Sequence, residues 1–336
     1  MSLKSITLED LGEHIGTKGQ SELYECPNCG HKVHVNLELG LLNCFFCGFG
    51  KGLILKGYSN TNLVKREYNK FLPEFTNKLL PHLSLLPYER KFVEGKGILD
   101  PSRFNICSIP TDIRTILKDV FGDEIYNYNI LSKTGGLPAV LKPGRVFIPY
   151  YGFKSKPSLV SFKTRSTPYL DAVAGDYDSI RYLAPKDSIH YNYLYKPTKI
   201  PKTDSVIITE GEFKTIVCNQ FNYPCLGLPG IGIAKPLENI ILKLAEQVSY
   251  LYLILDSDQN TFNFSGAIKQ YIKFGKVLNI IPVLLPLEGS TKMGLDDYLL
   301  SHSLQDFDEL LEEFRMKKQH YMKSFEETYA PNPRRD

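Results

Sequence analysis

The sequence predicts an α/β protein in three parts: a small metal-stapled N-terminal module, a mixed α+β basic region, and a mostly parallel, Rossmann-like sheet. Three observations carry this. Two Cys-x-x-Cys-Gly units stand near the start, at residues 26–30 and 44–48. Short alternating apolar stretches broken by prolines fill the middle. From residue 203 onward, apolar runs alternate with helical stretches, the rhythm of a parallel sheet covered on both faces. Hydrophobic residues make up 43% of the 336 and charged residues 23%, which suits about two domains with a small extra module and excludes wholesale disorder. The longest apolar run is only a strand's length, and the first residues lack a basic segment leading into an apolar one. The chain therefore reads as cytoplasmic, with no membrane partner.

Residues 1–55 are expected to form the metal module. Two residues between thiols let one tight turn aim both sulfurs at a single ion, and the trailing glycine lets the backbone turn away. Cys26, Cys29, Cys44 and Cys47 would thus hold one Zn2+ with all four positions filled, a structural rather than a catalytic site. Lys32 to Leu39 between the knuckles alternates like a strand. A redox pair or four unrelated buried thiols are the alternatives. His31 or His34 can also replace one thiol, although surplus polar residues are the simpler reading. Cys107, Cys218 and Cys225 sit in apolar surroundings and read as small core residues.

Residues 56–72 are polar without a core face and read as a linker. Short helices punctuated by Pro81, Pro87, Pro101 and Pro110 are expected over 73–139. Strands follow over 145–151 and 158–165, joined by a turn at 152–157, with Lys163 expected to project from one face. Between residues 140 and 202 eleven Lys or Arg face only four Asp or Glu, although the whole chain is close to neutral at +3. Tyrosines interleave there, at 150, 151, 169, 177, 182, 191, 193 and 195. Such a segment suits phosphate contact with base stacking, and equally a solvated surface over a β-rich core.

Over 203–302 the pattern predicts strands at 205–209, 225–228, 250–255 and 277–285, with helices at 213–221, 236–246 and 266–274. Ligands of parallel sheets sit beyond the carboxyl ends of the strands, and the acids stand there. Glu210 follows the first strand, Asp256 and Asp258 the third, and Asp296 and Asp297 come after the fourth. Converging carboxylates repel unless cations lie among them. Hard oxygen ligands of this kind suit Mg2+ or Mn2+ beside a phosphate, and so metal-assisted phosphoryl transfer. Taken singly, Asp-x-Asp also suits a helix N-cap, and Asp296 can cap a helix at 298–303. Gly230 to Lys235 lacks the spacing of a Walker A loop, so a P-loop ATPase is excluded. Residues 303–336 carry a helical pattern that either packs on the sheet or docks a helicase.

The order of parts resembles the DnaG-type primases, closest to phage- and plasmid-encoded versions, over residues 26 to about 302. Arg90-Lys-Phe-Val-Glu-Gly-Lys-Gly-Ile with Arg103-Phe-Asn-Ile is similar to the opening of that family's polymerase domain. Arg145-Val-Phe-Ile-Pro with Leu159-Val-Ser-Phe-Lys-Thr-Arg resembles its paired-strand motif, and Arg181-Tyr-Leu-Ala-Pro its "KYLNSP" segment. Thr209-Glu-Gly-Glu-Phe-Lys and Gly294-Leu-Asp-Asp-Tyr-Leu look like TOPRIM motifs. The resemblance implies a zinc ribbon, a basic subdomain over 73–202 and a TOPRIM domain over 203–302. It implies that Glu210, Asp256 and Asp258 bind catalytic metal with Asp296 in support, and that Arg145, Lys163, Arg165 and Arg181 line a template or nucleotide groove. Lys214 joins them as a candidate nucleotide contact. It stands where the bacterial pattern has an Asp, and four Cys stand where the bacterial ribbon commonly uses one His.

The implied activity is that of a nucleotidyltransferase copying single-stranded DNA into short RNA from ribonucleoside triphosphates. The length suits a phage or plasmid replication protein acting with a replicative helicase in trans. The alternatives are a TOPRIM nuclease using the same acids, or a non-catalytic RecR-like recombination mediator.

Overall fold

The computed structural model describes residues 5–18, 21–37, 41–44, 54–55, 68–131, 135–152, 158–168, 181–188, 194–196, 203–230, 235–258 and 261–328. Cys47, its neighbouring phenylalanines, linker residues 56–67 and most of the expected turn at 152–157 lie outside them. The chain divides into two compact units, Met1–Glu67 and Tyr68–Asp336.

In the first unit β2 (His14–Lys18), β3 (Ser21–Glu25), β4 (Lys32–Asn36) and β5 (Leu41–Cys44) form an antiparallel meander in sequence order. A separate short pair runs parallel, β1 (Ser5–Ile6) against β6 (Ile54–Leu55). The alternation read from the sequence is realised in β4, where Val33 and Val35 are fully buried and Lys32 is exposed. Among the described residues, Leu11, Cys26, Leu42 and Cys44 join them in one buried cluster.

The second unit has three layers. The first holds α1 (Leu72–Leu79) and α3 (Ile113–Phe121), whereas α2 (Pro87–Glu94) buries Val93 in the core shared with the third layer. Prolines open α1 and α2, where a missing N–H costs no hydrogen bond. Tyr68 to Leu72, expected in the linker, belong to this unit: the Asn69 side chain donates to the Tyr128 carbonyl at 2.8 Å. The middle layer is an antiparallel sheet in the order β10 (Tyr182–Leu183), β9 (Leu159–Ser166), β8 (Arg145–Tyr151), β7 (Cys107–Ser108). Phe147 and Phe162 stack at 4.6 Å on its helix side, with Phe75 of α1 6.1 Å from Phe162. Val146, Ile148 and Tyr150 join the core of the third layer.

That third layer is a parallel sheet, ordered β12 (Cys225–Leu228), β11 (Ser205–Glu210), β13 (Tyr250–Leu255), β15 (Ile280–Leu284). It is flanked by α4 (Glu212–Gln220), α5 (Lys235–Ala245) and α6 (Thr261–Gly275). The chain moves first to one side of β11 and then to the other. The switch point therefore falls between β11 and β13, where a crevice opens beyond the strand ends.

Several boundaries differ from expectation. α6 begins five residues earlier than the predicted 266, and β15 is shorter than the predicted 277–285. Val277 to Asn279 form a turn instead, and Lys318 donates to the Val277 and Leu278 carbonyls. An unanticipated antiparallel pair joins β14 (Ser257–Asp258), just after β13, to β16 (Lys292–Met293), just before the last acids. It leads into α7 (Leu295–Ser301), which starts before the predicted 298.

The C-terminal pattern is two helices, α8 (Leu304–Met316) and α9 (Lys318–Thr328). Ser303 caps α8 reciprocally with Asp306, its hydroxyl accepting from the Asp306 N–H at 3.1 Å. Phe307, Phe314, Met322 and Phe325 are buried in the core of the parallel sheet, so the tail packs on that layer. Among the described residues no helix is long and apolar enough to cross a membrane.

Candidate functional site

The first unit brings three of the predicted zinc ligands together. After β3 the Cys26 carbonyl accepts from the N–H groups of Cys29 at 3.3 Å and Gly30 at 2.8 Å, so one turn places two thiols side by side. Gly30 has φ +70°, a conformation that favours glycine. Cys44 arrives on β5 by pairing with Val33, and its sulfur lies 3.6 Å from that of Cys29. The ligand atoms of Cys26, Cys29 and Cys44 all lie within 4.8 Å of one another, a spacing that can hold a metal ion. His31 places Nδ1 3.0 Å from the Cys29 carbonyl oxygen, and neither it nor His34 joins the thiol cluster.

The second unit brings the acids to the switch point. Glu210 ends β11 and Asp256 immediately follows β13, its neighbour in the sheet. Gly211, at φ +87°, turns the chain from β11 straight into α4. The β14–β16 pair sets Asp258 opposite Lys292, and four residues after that lysine Asp296 enters from the first turn of α7. Capping of α7 falls to Asp297, which accepts from the Gly294 N–H at 3.1 Å. Asp296 keeps a buried Oδ1 with no hydrogen-bond partner among the described residues. The reading of Asp296 as a mere cap is thereby replaced by Asp297 as the cap.

Two lysines stand among these carboxylates. Lys214 Nζ lies 2.8 Å from one oxygen of Asp256 and donates to the other at 2.9 Å. Lys292 pairs with Asp256 at 3.0 Å. Burial pushes the Glu210 carboxyl above its ordinary pKa, with the Asp256 charge adding to the rise and both ammoniums opposing it. Burial likewise raises Asp296, opposed by Lys214 and reinforced by Asp297 and Asp256. Apart from the three cysteines, no three His, Cys, Asp or Glu side chains among the described residues come within 4.8 Å of one another.

Carboxylates are the hard oxygen donors that divalent cations take, and the buried Asp296 Oδ1 has no hydrogen-bond partner among the described residues.

The basic residues are placed differently from a groove lining. Lys163 and Arg165 lie opposite Ile148 and Val146 and so share one face of β9, as expected, but the third layer covers that face. Lys163 is buried in an ion pair with Glu212 at 2.7 Å and also donates to the Pro229 carbonyl at 3.1 Å. Tyr150 donates to the same Glu212 carboxylate. Arg165 packs its guanidinium 4.4 Å from the Phe213 ring centre and donates to the Tyr182 hydroxyl at 2.7 Å. Arg145 is only 1% exposed and donates to Thr164 Oγ1 at 2.8 Å and to the Arg181 carbonyl at 3.3 Å. Arg181 alone of this group is exposed. The sequence reading missed Lys292 and Glu212. Glu212 carried a usable signal, since a charged residue in the first turn after a buried strand calls for a partner.

No protein-family model matches the sequence, and no curated protein matches it. Solved structures do resemble the fold. The zinc-binding and RNA polymerase domains of the Aquifex aeolicus primase align with TM-score 0.56 at 18% identity, over 88% of this chain and 79% of that one. A DNA primase domain from Pseudomonas aeruginosa aligns with TM-score 0.54 at 16% identity, over 71% and 78%. A DnaG primase catalytic domain bound to single-stranded DNA aligns with TM-score 0.53 at 14% identity, over 72% and 80%. The fold class is therefore that of a zinc ribbon joined to a mixed α/β core with a TOPRIM-like parallel sheet.

Proposed function

We propose that the protein is a DNA primase, synthesising short RNA on a single-stranded DNA template from ribonucleoside triphosphates. The observation that carries this is the meeting of Glu210 and Asp256 at the switch point of a parallel sheet whose whole setting resembles primase cores. The 3′-hydroxyl oxygen of one nucleotide attacks the α-phosphorus of the next, a P–O bond forms, and pyrophosphate leaves. In this reading Glu210, whose carboxyl burial raises above its ordinary pKa, either ligates the metal or helps to take the hydroxyl proton.

Glu210, Asp256 and Asp258, with Asp296 in support, would hold Mg2+ or Mn2+, which when bound supply positive charge to the reacting phosphate. Arg181, which is exposed, and the partly buried ammonium of Lys214 would contact template or triphosphate. Arg145, Lys163 and Arg165 act from beneath by fixing the sheet. In this reading the zinc ribbon contacts the template, and a replicative helicase in a phage or plasmid replication system delivers it.

The test offers labelled ribonucleotides and single-stranded DNA together, with Mg2+ or Mn2+. Short labelled RNA is expected. Degraded DNA without RNA would make the protein a nuclease, and DNA binding without either product would make it a mediator.

A further inference from the structure

The last rung of β13 carries a side-chain hydroxyl. In the register of β13 with β15, Leu251 lies opposite Ile280 and its N–H donates to the Asn279 carbonyl at 2.8 Å. Four residues on, the same register brings the Leu255 N–H to the Val283 carbonyl. The phenol of Tyr271, from α6, stands at that place. Its oxygen accepts from the Leu255 N–H at 2.9 Å and donates to the Val283 carbonyl at 2.9 Å. Asp256 is the next residue, so the hydroxyl fixes the backbone from which that carboxylate leaves the sheet. Burial raises the phenol's pKa, the bond from Leu255 opposes the rise, and the Asp256 and Glu210 charges add to it. Both acids thus lie within electrostatic reach of the hydroxyl.

The phenol is itself held from behind. Tyr271 is fully buried, and its ring stacks on Phe325 of α9 at 5.4 Å, with 28° between the planes. A Cβ on Gly275, one turn further along α6, would meet Met322 and Pro282. The last helix therefore lies directly against the one that carries the phenol.

We propose that Tyr271 is a positioning residue for Asp256, and that α9 holds it in place through Phe325. The C-terminal helices then serve the acid rim as well as the stability of the sheet. This rests on the primase reading, in which Asp256 acts at the reacting phosphate.

The test compares RNA synthesis by wild type, Tyr271→Phe, Phe325→Leu and the double variant, each as the zinc-loaded full chain. Ser303→Ala, which removes the cap of α8, is the control for a plain loss of stability. Tyr271→Phe keeps the ring and its stack and loses only the hydroxyl. Its kcat is expected to fall about tenfold with KM for ribonucleotides unchanged, the cost of a small displacement of a reacting group. Ser303→Ala should keep the kcat of wild type. Phe325→Leu should also lower kcat, and should add nothing to Tyr271→Phe. Hydrogen exchange at the Leu255 amide should be about tenfold faster in Tyr271→Phe, and unchanged at Leu251. A wild-type kcat in Tyr271→Phe, or a loss shared by Ser303→Ala, would overturn the proposal. Unchanged exchange at Leu255 would overturn it too, and additive losses would overturn the link to α9. No RNA from wild type, with faster exchange at Leu255 in the variant, would overturn the proposed function and leave the hold on Asp256 standing.

Discussion

Cys26 and Cys29 are brought together by one tight turn, and Cys44 joins them through a single strand pairing. Glu210 and Asp256 are separated by two helices and two strands, and meet because β11 and β13 are neighbours in the sheet. The thiol site is thus local in sequence and supported by a small core. The acid rim is topological and rests on the largest core of the molecule. A local site of this kind is expected to depend on its ion for folding, and a topological one to assemble without it.

The largest expected effect follows from that contrast. Structural zinc in small domains contributes about 10–16 kcal/mol of apparent binding free energy, more than the few buried side chains of the first unit supply. Chelation should therefore abolish amide-exchange protection over β3, β4 and β5 while leaving β11 and β13 protected. Unchanged protection in the first unit would erase the distinction between the two sites.

Within the second unit the rim is held from below by a buried pair. Lys163→Met strands the Glu212 carboxylate and should cost about 3–5 kcal/mol in urea unfolding. Adding Glu212→Gln should recover most of the loss. A double variant as unstable as the single one would mean that packing, not the ion pair, explains the lysine.

The smallest effect separates two adjacent aspartates. Asp297→Ala removes the cap of α7 and should cost about 1 kcal/mol. Asp296→Ala should cost nothing in stability, since its buried Oδ1 has no partner to lose, yet should weaken Mn2+ binding. Equal stability losses would make both residues structural.

The difference between the sites also decides what was legible in the sequence. Cysteine spacing specifies a turn, so the thiol cluster could be read directly. The strand ends could be read from apolar runs, which placed Glu210, Asp256 and Asp296 on one rim. The burial of Arg145, Lys163 and Arg165 could not, because alternation tells which residues share a face and not what covers it. Lys292 reaches Asp256 through a two-residue strand pair too short to leave a periodic signal. The break between α8 and α9 at Lys317 was hidden for a related reason: the apolar spacing runs on through it.

The central claim is tested most directly by RNA synthesis on single-stranded DNA, comparing wild type with Asp256→Asn. The substitution keeps the shape of the side chain and removes the charge at the switch point. The account predicts short RNA from wild type and none from the variant, with both proteins equally folded by circular dichroism. RNA made equally well by Asp256→Asn would contradict it, because the rim would then not be where the phosphate reacts.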